Sequence, residues 1–595
     1  MKQVKLKTNH LIRGTGVAYV RQYLNTLGIN KIESFINCPE EVDEEDPLHL
    51  DNITAAAKIT YDLISQGAKV FVQVDSDTDG YTSSSILINY LKRRFPQSEI
   101  RWRLHNGKEH GIIVETVPED CQVVFIPDAG SNQFEAQRQL CAMGKTVIIL
   151  DHHEVTDMDS LKTSPAIIIN NQTSINYQNK SLSGAGVVYK FIKLMDKMFY
   201  PNNHIFHDYG DLAAIGIIAD AMNMTTLDNN YIAYWGLSHI HSKFIRELAI
   251  KRNRGIKNPD HLTKIDVAFY IAPIINGVIR SGTSEDKEMT FNAMIDNEDT
   301  NLYEHTWRGS TKMETLWERA ARNAMNAKSR QDAAKKKSFE WLCKKIRTEG
   351  WDKHNIIIVT LDAAESTKVS PNVTGLIAME LVKEFNKPAL VLRDTDFNGV
   401  RVYGGSGRNG NFYGLPDLKA KLTEAGGFYE EGHANAFGVF LTPDQIDSIR
   451  DFFDTTLDSS VFNDTVYEVD YWFHTGEILD YDMLYEIASY NDLWGNSIPQ
   501  PKFAMDINYV ADEIRTMGAD GSSLKISHDG IDFVAFKCPE LIAQLKNKDR
   551  GHITIVGRSQ LNEWMGRKSV QIIIDDIEIF DAENAAAAVS ILDLI

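Results

Sequence analysis

Between positions 68 and 170 the chain carries four short runs of almost unbroken apolar residues: AKVFVQV (68–74), CQVVFI (121–126), GKTVIIL (144–150) and PAIIIN (165–170). Runs of this length, rich in β-branched residues and without polar alternation, fit strands buried on both faces of a parallel sheet. The intervening segments SSSILINYLKRRF (83–95) and FEAQRQLCAMG (134–144) read as helices, the second closed by a glycine. Strand and helix in alternation predict a doubly wound α/β sheet.

Further along, the pattern changes twice. Residues 184–255 read as mostly helical. Residues 305–347 lack proline and are rich in Ala, Lys, Arg and Glu, which predicts a long connecting helix. A second α/β unit follows, with strands at 355–361, 388–393 and 400–407 and helices at 373–386 and 415–425. From about 465, segments such as SLKISHDGIDFVAFK and SVQIIIDDIEIF alternate or run apolar at strand length, with Asp-Gly as a hairpin signal. They predict a small β-barrel. No solenoid-type repeat is visible.

Composition narrows the class. A chain of 595 residues is too long for one core, and 43% apolar with 24% charged residues suits a soluble globular protein. No run is long and apolar enough for a transmembrane helix, and the N-terminus lacks the apolar core of a signal peptide. The cysteines (Cys38, Cys121, Cys141, Cys343, Cys538) are scattered and never in CxxC. That argues against a zinc site or a disulfide framework and places the chain in a reducing cytoplasm. The net charge of −20 speaks against a nucleic-acid partner only weakly, because carboxylates at a metal site count as negative until the metal binds. Two basic stretches, 91–108 and 328–337, are either solvated faces or nucleic-acid contacts.

The candidate chemistry lies where the apolar runs end. The first leads into Asp75-Ser76-Asp77-Thr78-Asp79-Gly80, the second into Pro127-Asp128, the third into Asp151-His152-His153. In open α/β sheets ligands bind outside the carboxyl ends of the strands. Asp77, Asp79, Asp128 and His152 are therefore expected around one crevice. Asp220 ends an apolar helix (211–225), where a buried carboxylate needs a partner or a metal. Many carboxylates with one or two imidazoles suit Mn²⁺ or Mg²⁺, and the ligand number suits two ions. Two such ions can activate a water and stabilise the leaving oxygen in phosphoester hydrolysis, with a carboxylate between them as a bridge.

DSDTDG, DAG, LDHHE and IIAD, in this order, resemble the motifs of the DHH phosphoesterases, and among these the RecJ-like single-strand-specific exonucleases. SLSGAGVVYKF (181–191), IAPIINGVIRSG (271–282), GGSGRNG with EGHANAFG (404–438), NDLWGNSIPQPKF (491–503) and LNEWMGRKSVQIIIDDI (561–577) extend the likeness over nearly the whole chain. The resemblance implies an N-terminal segment (1–50), a DHH catalytic domain (51–304), the connecting helix (305–347), a DHHA1 domain (348–464), an OB-like nucleic-acid-binding domain (465–581) and a C-terminal tail (582–595). It implies metal ligands at Asp77, Asp79, Asp128, His152 and Asp220, with Asp75 near the first ion and Asp128 bridging. Asp151 would orient its neighbour, and His153 would contact the scissile phosphate or aid proton transfer. Asn276, Arg280, Ser406, Arg408 and His433 would hold substrate phosphates. Trp564 and Arg567 are candidates for the strand-binding surface of the barrel.

The resemblance implies a metal-dependent 5′→3′ exonuclease that acts on single-stranded DNA as a monomer. Ser76, Glu431 and Ile279 depart from the family pattern, as does MNMTTLDNNY after Asp220, and point to a divergent, phage-type member. Two other readings stay open: a phosphodiesterase on short oligonucleotides or cyclic dinucleotides, and a non-catalytic replication scaffold. NAAAAVSILDLI (584–595) is either a docked terminal helix or a peptide that binds a replication or recombination protein.

Overall fold

The parallel sheet expected in the first half has five strands, in the order Ile100–Leu104, Val70–Val74, Val123–Pro127, Thr146–Asp151, Ile167–Asn170. The computed structural model describes residues 3–38, 44–105, 109–253, 255–295, 298–397, 399–410, 412–427, 429–462, 466–518, 520–564 and 566–580, with the side chains of 429–432 and Trp564 left aside. The tail at 582–595 lies outside them. The chain divides into two compact units, one of residues 20–329 with 490–500, the other of residues 1–19, 330–489 and 501–595.

In the first unit every residue of Val70–Val74 and Val123–Pro127 is buried, which is why these strands read as continuous apolar runs. Phe71, Val124, Ile126, Val147 and Ile149 pack into one core on one face. The helices Thr78–Arg94, Gly184–Phe199 and Gly210–Ala219 pack against one another. The last is apolar all round and buried from Gly210 to Ile218, so it forms the centre of this layer. The chain leaves Val70–Val74 toward the edge strand Ile100–Leu104, then crosses back to Val123–Pro127 on the other side. The reversal makes the gap between these strands the topological switch point, where doubly wound sheets bind ligands.

Two local expectations are corrected. The first helix starts at Thr78 rather than Ser83, and its cap is Asp77, which accepts from the Gly80 N–H at 2.9 Å. Thr82 lies inside the helix, its hydroxyl donating to the Thr78 and Asp79 carbonyls. The connecting helix spans Leu316–Glu349, and the residues before it form a hairpin, Leu302–Trp307 with Ser310–Thr315. Arg308 and Gly309 both have positive φ, 49° and 80°, the turn that matches strand twist. Tyr303, Thr306, Trp307, Thr311 and Thr315 give this segment strand-forming residues that the charged composition hides. The edge strand Ile100–Leu104 is half-buried throughout and so lacks the apolar run that marked its neighbours.

The second unit holds a five-stranded sheet ordered Tyr429–His433, Ala436–Leu441, Val400–Arg408, Ala389–Phe397, Ile357–Leu361, of which only the last two pair in parallel. It also holds a seven-stranded mixed sheet whose longest strands, Arg550–Trp564 and Arg567–Phe580, form one hairpin. The Asp-Gly signal is a hairpin turn, with Asp529 at φ 48° and Gly530 at φ 76°. Gln3–Leu6 pairs in parallel with Val466–Val469.

Candidate metal centre and substrate residues

Three strand ends of the first unit, with the C-terminal end of the helix Gly210–Ala219, bring Asp75, Asp77, Asp79, Asp128, His152 and Asp220 together. Three sets of potential ligand atoms lie within 4.8 Å of one another: Asp75, Asp77 and Asp128; Asp79, His152 and Asp220; and Asp128, His152 and His153. Asp128 and His152 each belong to two sets. His152 Nε2 lies 3.2 Å from Asp128 Oδ1, 3.5 Å from Asp220 Oδ2 and 4.0 Å from Asp79 Oδ2.

Each carboxylate is held differently. Asp79 is buried at the start of the helix Gly184–Phe199, accepting from the Ser183 hydroxyl (2.9 Å) and the Gly184 and Ala185 N–H groups (2.7 and 3.1 Å). The helix terminus thus holds one ligand candidate by its free N–H groups. Asp75 Oδ1 faces the Nδ1 atoms of His105 (3.1 Å) and His110 (2.9 Å). Asp128 is 1% exposed, sits at φ 62°, and its Oδ1 makes no hydrogen bond. A left-handed backbone on a non-glycine residue is strained, and such residues gather at functional sites. Gly184 and Gly216 make room: a Cβ on Gly184 would stand 2.4 Å from Asp128 Oδ1, and one on Gly216 2.3 Å from Asp79 Oδ1.

The electrostatics call for a cation. Burial, then Asp79, pushes the Asp77 pKa up to about 6. Burial, then Asp79 and Asp77, pushes Asp220 up to about 8. Burial and the surrounding aspartates push Asp128 well above the usual carboxylate range. Asp75 differs: burial works upward, but His105 and His110 outweigh it and hold the group at about 2. Burial lowers the His152 pKa, which favours the neutral imidazole a metal needs. A buried acceptor without a hydrogen bond, three carboxylates whose charge is disfavoured by burial and by their neighbours, and an oxygen-rich donor set fit hard divalent cations.

Beside the cluster, Asp151 is buried and accepts from the N–H groups of Ser131 (2.9 Å) and His152 (2.8 Å). Its Oδ1 also lies 2.7 Å from His153 Nδ1. Burial lowers the His153 pKa, but Asp151 outweighs it and raises the group to about 9. His153 is half-exposed, oriented by Asp151 and turned to the site.

The substrate candidates fall on three surfaces. Asn276 and Arg280 stand four residues apart on the helix Ala272–Ser281, so they share one face, and the Arg280 charge acts on Asp77. In the second unit Arg408 and His433 both pair with Ala436, one from each side, and Ser406 is two residues from Arg408. All three side chains therefore share one face of the sheet. The Ser406 hydroxyl meets that of Thr374 at 2.9 Å, and Gly375 stands against the Arg408 guanidinium, at the start of the helix Thr374–Phe385. Arg567 is exposed at the tip of the long hairpin, where it pairs with Trp564. The Trp564 side chain lies outside the described residues. Sequence reasoning did not single out His105, His110, Gly216 or Thr374. The small-residue run SLSGAG was the signal for the Gly184 turn.

Residues 69–217 match the DHH family, N-terminal domain, and residues 475–576 match the RecJ OB domain. YorK of Bacillus subtilis (strain 168), named as an SPbeta prophage-derived single-strand DNA-specific exonuclease, is 30% identical over 93% of this chain and 95% of its own. The single-stranded-DNA-specific exonuclease RecJ of Escherichia coli (strain K12) is 24% identical over 89% of this chain and 90% of its own. The crystal structure of Thermus thermophilus RecJ in complex with Mn²⁺ superposes with a TM-score of 0.71, covering 98% of this chain and 80% of that one at 19% identity, which shows the shared fold. By its full-length likeness to YorK and its two matching domains, the chain belongs to the RecJ family of single-strand-DNA-specific exonucleases.

Proposed function

We propose that the chain removes nucleotides from the 5′ end of single-stranded DNA, with two Mn²⁺ or Mg²⁺ ions per site. One observation carries this reading: five candidate ligands from four separate segments converge on the switch point, and Asp128 Oδ1 among them is buried without a donor. Asp77, Asp79, Asp128, His152 and Asp220 would hold the ions, with Asp128 between them and Asp75 close to the first. When bound, the ions supply the positive charge that makes water a nucleophile and stabilises the leaving oxygen.

The chain's own residues do the rest. Asp151 fixes the His153 ring, and His153 offers a proton or a hydrogen bond to the scissile phosphate. Water adds to phosphorus, the bond to O3′ breaks, and the O3′ atom takes up a proton. Arg280 and Asn276 would position the phosphate beside Asp77. Ser406, Arg408 and His433, with the start of the helix Thr374–Phe385, would hold a terminal or neighbouring phosphate. Arg567 and Trp564 would meet the strand farther along. Catalysis is assigned to 51–304, phosphate capture to 348–464 and strand capture to 465–581, acting in the cytoplasm as a monomer. The polarity follows from the family resemblance.

The test is digestion of single strands labelled at either end, with and without Mn²⁺, alongside Asp128→Ala. Release should begin at the 5′ end, need the metal and vanish in the variant. Near wild-type digestion by Asp128→Ala in Mn²⁺ would sink the site assignment, and preferential turnover of dinucleotides would transfer the activity to short substrates.

A further inference from the structure

The helix Ala272–Ser281 does not begin at Ala272. It continues backward into a π-helical turn, Val267–Ile271, whose wider coil carries Phe269 and Tyr270. π-turns inserted into helices are frequent at functional sites. Ala272, Ile274, Ile275, Val278 and Ile279 of the continuous helix are buried. One stripe is less covered: Phe269 and Arg280 are exposed and Pro273 and Asn276 half-buried between them, spaced by four, three and four residues. Phe269 is 70% exposed, so its ring covers no core. The next residue, Tyr270, lines a concavity of about 390 Å³ together with Lys251, Arg252, Asn253 and Gly255. The Arg252 guanidinium lies over the Tyr270 ring at 5.2 Å, and the Arg252 Nε is buried without a hydrogen-bond partner.

We propose that Phe269 is a stacking platform for a base of the single-stranded substrate, with Lys251 and Arg252 attracting the adjacent phosphates. The inference rests on the nuclease reading and extends its binding track outward from Arg280. An exposed aromatic ring, next in the chain to a tyrosine that carries an arginine on its face, is the kind of surface that binds single strands without reading sequence. A duplex offers no free base faces to such a ring. The eleven residues from Arg280 to Phe269 span about 16 Å of helix. At the spacing of stacked nucleotides that is roughly five residues of strand, and fewer if the strand is extended. Phe269 would therefore engage a base several nucleotides from the one being released.

The experiment measures binding by fluorescence anisotropy in EDTA, using the full chain and a 5′-phosphorylated oligothymidylate of about twelve residues. A second, otherwise identical strand carries abasic sites from the third to the sixth position. Phe269→Ala should bind the intact strand about tenfold more weakly, and Phe269→Trp should bind it at least as well as wild type. On the abasic strand wild type should lose its advantage over Phe269→Ala. Equal binding of the intact strand by wild type and Phe269→Ala would overturn the inference. A deficit that persists on the abasic strand would do so as well, since it would not involve a base. Digestion of the intact strand by wild type in Mn²⁺ separates the two ideas. If wild type digests while Phe269 is indifferent, only the stacking platform falls. If wild type neither binds nor digests, the nuclease reading falls with it. Unchanged thermal melting of Phe269→Ala, expected for so exposed a side chain, certifies the comparison.

Discussion

Gly184 lies so close to Asp128 that a Cβ on it would stand 2.4 Å from Asp128 Oδ1 and 2.5 Å from the Asp128 Cβ. The same residue donates its N–H to Asp79 at 2.7 Å, so one glycine sets the positions of two ligand candidates. Gly184→Ala should displace Asp128, whose Cβ cannot swing away as a flexible chain end would. We expect activity to fall on the order of a hundredfold, as for an ångström-scale misplacement. Overpacking should cost about 1–3 kcal/mol of stability. Digestion rates and thermal melting of the one variant check both.

Arg408 meets a gentler constraint. A Cβ on Gly375 would fall 2.5 Å from the Arg408 Nη2, the far end of a flexible side chain. Gly375→Ala should therefore turn the guanidinium away without unfolding the unit. If Arg408 holds a substrate phosphate, KM for 5′-phosphorylated strands should rise several-fold while kcat and the melting temperature stay close to wild type. An unchanged KM would remove Arg408 from the phosphate site.

What the sequence makes legible, and what it hides, follows from burial. Val70–Val74 and Val123–Pro127 are buried on both faces, so their apolar runs announce them and the acidic residues at their ends. The edge strand Ile100–Leu104 is half-exposed, and the hairpin Leu302–Thr315 is mostly exposed, so neither shows such a run. The same holds within the site. Asp77, Asp128, His152 and Asp220 carry their chemistry in their own side chains and can be named from residue type. Gly216 and His105 act by leaving room or by holding a neighbour, and only tertiary contacts reveal them, whereas the run SLSGAG marks the turn at Gly184. Phe269 is hidden for a similar reason: an apolar residue in an apolar helical run reads as core, and only its exposure in the folded chain sets it apart.

Acid should destabilise the first unit through a buried ion-paired group that is not among the ligand candidates. Glu44 is buried between Lys190, at 2.8 Å, and Lys193. Burial works to raise its pKa, but the two lysines outweigh it and hold the folded-state value at about 2, below the ordinary 4.5. The folded pKa is the lower one, so the contribution is complete above about pH 4.5 and is lost as pH falls toward about 2. Glu44→Gln leaves the buried lysines with less compensation and should lower stability at pH 7 by about 3–5 kcal/mol. Urea unfolding of both proteins should show that gap closing as pH drops through this window. A gap constant with pH would mean that the charge on Glu44 contributes nothing.

Asp128 should show function and stability opposed. In the absence of metal its carboxylate is buried among Asp75, Asp77, Asp79 and Asp220, which disfavour its charge, and Oδ1 has no donor. Asn is nearly isosteric, removes the charge, and tolerates the left-handed backbone that Asp128 adopts at φ 62°. Asp128→Asn should therefore melt higher than wild type in EDTA, by an amount on the order of 1 kcal/mol or more of stability. Adding Mn²⁺ should raise the wild-type melting temperature, because an ion bound only by the folded state stabilises it by mass action. The variant should show little of that rise and almost no digestion. Wild type would then overtake the variant as Mn²⁺ is titrated in. A variant that melts lower than wild type in EDTA would mean that Asp128 is a structural acceptor whose repulsion is already relieved, and the case for a bridging ligand would lose its main support.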